Sequence, residues 1–146
     1  MAEGSSKKKP TRRVDLERAL EDRLRDADAL LAAGRYASTI AMGLYALEIS
    51  LKVAICVRLD LDELPELLKT HDAEILLVYS GLKQRIRQAA DGRILQNWAL
   101  VTANNLQQVN DLRYLPDNQN EGEARAVLEL LRSSRDGVIT WIRTQL

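Results

Sequence analysis

Between Gly34 and Leu61 lies a run in which, after Arg35, only Ser38, Thr39, Glu48, Ser50, Lys52, Arg58 and Asp60 are polar. At about 100° per residue, Ile40, Leu44, Leu47, Leu51 and Ile55 fall on one side of a helix. Met42, Tyr45, Ile49, Val53 and Cys56 fall on another, and Gly43, Ala46, Ser50 and Ala54 form a small-residue stripe between them. The run is therefore predicted as one central helix, Arg35 to Leu59, with a narrow seam left for water that carries Glu48 and Lys52. A helix apolar on most of its circumference has to be covered from several sides, by other helices of the domain and by a second subunit.

A bilayer span is the rival reading, because Ile40 to Val57 approaches the roughly 20 apolar residues that a membrane requires. Glu48 and Lys52 at its middle argue against it, since a charge there costs roughly 2.5–3.5 kcal/mol. In water the same two residues are an asset. Glu four positions before Lys is the favoured helical ion pair, worth roughly 0.3–0.5 kcal/mol where it faces solvent. No membrane partner is expected.

The 146 residues are 46% hydrophobic and 29% charged, which is the profile of one globular domain. With three Pro, no Phe and an abundance of Leu, Ala, Arg and Glu, the expected class is all-α, an up-and-down bundle of about five helices spanning residues 13–146. The single cysteine, Cys56, excludes an intrachain disulfide and reads as a small buried hydrophobe. Neither a metal nor a cofactor is expected: the chain has one Cys, one His and no glycine-rich phosphate loop. No apolar run opens the sequence, so the expected location is cytoplasmic. Formal net charge is zero, yet residues 1–13 hold five basic groups against one acid. The tail is thus at +4 and the remainder at −4, poor ground for a broad nucleic-acid face.

Residues 1–12 show no hydrophobic periodicity and are expected to form a disordered basic tail. From Asp15 the spacing of Leu16, Leu20, Leu24, Ala27 and Leu31 predicts an amphipathic helix, closed by Gly34 as its left-handed cap. So short a connection makes the first two helices an antiparallel hairpin. Asp72 or Thr70 is expected to cap a third helix, which Gly81 breaks or bends. A fourth carries Ile94, Leu95, Trp98, Val101, Leu106 and Val109, weakened at Asn104 and Asn105. Asn120 with Glu123 reads as a capping box for a single final helix, whose buried stripe is Ala124, Val127, Leu128, Leu131, Val138, Trp141 and Ile142.

Three landmarks in this order resemble the HEPN superfamily, small helical domains named for higher-eukaryote and prokaryote nucleotide binding. They are the passage Leu30-Leu31-Ala32-Ala33-Gly34-Arg35-Tyr36 running into Tyr45-Ala46-Leu47-Glu48-Ile49-Ser50-Leu51-Lys52, the helix start Thr70-His71-Asp72, and Asn97-Trp98 followed by Arg113-Tyr114. The resemblance spans residues 14–145 and implies a bundle of about five helices that forms homodimers. It also implies a nucleotidyltransferase-like protein partner, in toxin–antitoxin or antiviral pairs.

Active members of that family are metal-independent ribonucleases with an Arg followed, four to six residues on, by a His. Here Arg113 is followed by Tyr114-Leu115-Pro116-Asp117-Asn118-Gln119-Asn120, with no histidine. Attack by a 2′-OH needs a group able to move protons near neutral pH, and an Asn does not titrate. The expected function is accordingly a non-catalytic, homodimeric interaction module. The alternative is a noncanonical or degenerate endoribonuclease built on His71, Arg113 and Tyr114. Should RNA or phosphate be held, Arg113, Lys83, Arg87 and Arg93 are the candidate contacts, although a solvated face is the commoner meaning of such a basic run.

Overall fold

The computed structural model describes residues 9–104, 114 and 116–146. Within them are seven α-helices: α1 (Arg13–Ala32), α2 (Tyr36–Arg58), α3 (Ala73–Tyr79), α4 (Lys83–Gln88), α5 (Gly92–Asn104), α6 (Glu121–Arg132) and α7 (Val138–Thr144). A short 3₁₀ turn, Glu66–Leu68, precedes α3. The class is all-α, as the composition indicates. The only β-type pairing among the described residues is an isolated bridge between Arg12 and Glu63.

α2 is the central helix: α1, α3, α6 and α7 all pack on it. Leu44, Leu47, Leu51 and Ile55 are fully buried, and the small-residue stripe of Gly43, Ala46, Ser50 and Ala54 is buried as well. That stripe is used within the chain. A Cβ placed on Gly43 would meet Leu131 Cδ1 at 3.0 Å and Leu128 Cδ2 at 3.3 Å, so the missing side chain is what lets α6 approach α2. By length and composition α2 would also cross a bilayer, and 67% of its most apolar window is buried in the bundle. Cys56 lies in the same core, where burial pushes its thiol up; the Arg13 guanidinium opposes that rise and Glu17 adds to it. Withdrawn from solvent and held as the thiol, it is chemically inert.

Both helices of the hairpin end alike. Gly34 has φ +73°, and the Arg35 N–H reaches the Leu30 carbonyl (2.9 Å) while the Gly34 N–H reaches that of Leu31 (3.1 Å). This is the Schellman arrangement expected of a glycine cap. At the end of α2 the same two bonds run from Leu61 to Cys56 (2.8 Å) and from Asp60 to Val57 (3.2 Å), but the left-handed residue is Asp60, at φ +51°. A side chain in that region is strained, so Asp60→Gly is expected to raise stability by about 0.5–1 kcal/mol, read as a higher urea midpoint at unchanged slope. A loss of stability would show that the Asp60 side chain does more than tolerate its backbone.

Several expectations are corrected by the packing. The seam of α2 is not open to water: Lys52 and Glu48 retain only 11% and 16% of their side-chain exposure. The final apolar stripe belongs to two helices, not one. The chain breaks at Ser133, whose carbonyl accepts from the Gly137 N–H (2.9 Å) and whose hydroxyl accepts from the Arg135 N–H (3.3 Å), so α7 folds back beside α6. Gly81, at φ +74°, breaks the helix as expected, and a further short helix, α4, follows it. The helix count is therefore higher than five. Thr11 and Arg12, assigned by sequence to the tail, dock on the segment after α2: the Leu64 N–H donates to the Thr11 carbonyl (2.8 Å), and the Arg13 N–H to that of Asp62 (2.7 Å). Residues 1–8 of the expected tail, and Leu106 and Val109 of the expected fourth helix, lie outside the described residues.

Candidate functional site

The only imidazole in the chain sits at the mouth of α3. Asp72 caps that helix, its Oδ1 accepting from the N–H groups of Glu74 (3.0 Å) and Ile75 (3.1 Å), and Thr70 Oγ1 accepts from the Asp72 N–H (3.2 Å). Two side-chain caps in succession fix the backbone on either side of His71 and carry the ring across to α2. There Nδ1 lies 2.8 Å from Glu48 Oε1. The other carboxylate oxygen, Oε2, accepts from Lys52 Nζ at 3.1 Å.

Glu48 thus bridges two nitrogens of very different exposure: Lys52 is buried, whereas the His71 side chain is 86% exposed. An ionised carboxylate only accepts, so Nδ1 is the donor and Nε2 is the ring nitrogen left for another partner. A carboxylate that orients an imidazole in this way sets up a proton acceptor or a metal ligand. A second interaction ties the same region to α5, for Trp98 Nε1 donates to Glu74 Oε1 at 3.0 Å. Among the described residues no three His, Cys, Asp or Glu side chains come together as a metal would require.

The other residues singled out by sequence are placed elsewhere. Arg113 lies outside the described residues. Tyr114 is 84% exposed, so it does not stitch its loop to the bundle. Asp117 has that role: Oδ2 accepts from the Ala37 N–H (3.1 Å), serving one of the open donors at the start of α2, and Oδ1 accepts from the Gln119 N–H (3.1 Å). This anchor is remote from the histidine. Ala37 and Glu48 are eleven positions apart on α2, about 16 Å at the helical rise. Of the basic candidates, Lys83 is half-buried at the start of α4, while Arg87 on α4 and Arg93 on the first turn of α5 are exposed. None has an acidic partner among the described residues.

Sequence reasoning passed over two of the residues that matter most here. Glu48 read as half of a surface ion pair because its partner His71 is 23 positions away, and Asp117 drew no reading of its own because its partner Ala37 is 80 away. No local pattern marks either contact. No protein-family model, no curated protein and no solved structure matches this chain.

Proposed function

We propose that the chain is a non-catalytic, homodimeric interaction module of the HEPN type, working with a nucleotidyltransferase-like partner in a toxin–antitoxin or antiviral pair. The family part of this reading rests on the sequence landmarks. The observation that carries the interaction part is the outer face of α3. Ile75, Val78 and Tyr79, spaced i, i+3 and i+4, are each between 42% and 49% exposed, and Leu67 just before them is more exposed still. Burying what remains of each is worth about 1 kcal/mol per side chain. Since α2 is covered within the protomer, this face takes over as the surface on which a second copy would sit. A formal net charge of zero sets no overall repulsion between copies.

Light scattering at micromolar concentration is expected to give a dimer mass for the wild type and a monomer mass for Tyr79→Glu, because in a two-fold dimer the charge enters the interface twice. A monomeric wild type would remove the dimer. A stoichiometric protein recovered on co-expression with the neighbouring reading frame would name the partner.

One observation favours the ribonuclease alternative, namely the Glu48-oriented His71 with Nε2 left for another partner. With no histidine four to six residues after Arg113 and no second imidazole in the chain to share the proton transfers, we expect no cleavage of a mixed single-stranded RNA pool in EDTA. Cleavage by the wild type that is lost in both His71→Ala and Arg113→Ala, with folding intact, would establish the alternative.

A further inference from the structure

Arg58 closes α2, and its guanidinium lies against Gly81, the residue that turns the chain from α3 towards α4. A Cβ at Gly81 would overlap that guanidinium, so the absent side chain leaves the space in which it is seated. The turn itself is held by Ser80, whose buried hydroxyl donates to the Leu77 carbonyl (2.7 Å) and accepts from the Leu82 N–H (3.3 Å).

Beside this seat a cleft of about 210 Å³ opens between the end of α2, the α3–α4 turn and the end of α7. Ala54, Val57 and Leu82 give it apolar lining, while Arg58 lines it from α2 and Arg85 from α4, with Gln145 beside them. It contains two positive side chains and no acidic one. Neither guanidinium is paired with a carboxylate among the described residues, that of Leu146 at the rim included, whereas Arg132 and Arg143 are committed to Asp28 and Glu21 on α1. The cleft shares no residue with the α3 face or with the Glu48–His71 pair.

We propose that this cleft binds a small linear dicarboxylate, one carboxylate on each guanidinium. The planar fork of an arginine takes a carboxylate through two parallel charge-assisted hydrogen bonds. Two forks ask for two carboxylates, and the apolar lining asks for a short methylene chain to join them. Size sets the limit, because the cleft is smaller than the roughly 300–1,000 Å³ that holds drug-sized ligands. The chain is therefore a few carbons long. Sulfate or phosphate would answer the charge and leave the apolar lining uncovered, and a monocarboxylate would leave one guanidinium without a partner. Arg85 belongs to the basic run read from sequence; Arg58 and Gly81 join it only through the fold.

Calorimetric titration of the full chain with malonate, succinate and glutarate at constant ionic strength, against butyrate and sulfate, tests the site. Affinity is expected to peak at one chain length, since each guanidinium is carried by a fixed helix, and the best dicarboxylate to bind at least about tenfold more tightly than butyrate or sulfate. Arg58→Ala and Arg85→Ala, both at exposed positions, are each expected to lose that factor and to bind the dicarboxylate and butyrate alike, because one fork remains. A variant that merely loosens the fold would weaken both ligands and keep the preference between them. Equal affinity across the three lengths, butyrate or sulfate as tight as the best dicarboxylate, no saturation, or a dicarboxylate preference that survives in the Arg58→Ala/Arg85→Ala double variant would overturn the proposal.

Discussion

Leu47→Ala and Leu51→Ala are each expected to lower the unfolding free energy by about 2–5 kcal/mol, the cost of deleting a fully buried leucine. Both side chains have no solvent exposure, and both lie on the helix that α1, α3, α6 and α7 share. A hole at either position is bordered by elements that are themselves tied together. α6 meets α1 through Arg132 and Asp28 (2.6 Å), and α7 meets α1 through Arg143 and Glu21. Those ion pairs are exposed and contribute little on their own. Urea melts of the two variants against Leu95→Ala, a leucine 39% exposed on α5, provide the comparison. A shift no larger than that of Leu95→Ala would mean that α2 is not the centre of the bundle.

What could be read ahead of the structure was whatever is encoded within a turn or two of helix. The Gly34 cap, the Asp72 cap and the Asn120–Glu123 capping box each depend on residues at most five positions apart, and all three are present. The inner side of α2 was legible because a single periodicity runs through it. The break between α6 and α7 was not. Leu131 and Val138 are seven residues apart, two helical turns, so the apolar stripe looks continuous across the Ser133 turn that interrupts it. Nor was the cover over the α2 seam legible, because periodicity assigns a polar residue to the outside and says nothing of what another segment lays over it.

The Glu48–Lys52 pair provides the other large effect, since an i,i+4 pair on a surface and the same pair beneath a covering segment differ severalfold in what their loss costs. With 11% and 16% of their side-chain surface left, the ammonium and carboxylate are mostly out of water and rely on each other at 3.1 Å. Glu48→Ala removes the acceptor and leaves the Lys52 charge buried without one among the described residues, which is expected to cost about 3 kcal/mol. The remaining solvent access keeps the figure at the low end of what buried pairs show. Glu48→Leu combined with Lys52→Met replaces both charges by side chains of similar reach and should return stability to within about 1 kcal/mol of wild type, because the cost lies in the unpaired charge. His71→Ala removes an exposed partner at 2.8 Å and should cost less than about 1 kcal/mol. Urea unfolding of these variants completes the comparison, with slopes checked for constancy. A Glu48→Ala loss as small as that of His71→Ala would mean that water reaches Lys52 freely, and the seam of α2 would then be the solvent-facing one its sequence suggests.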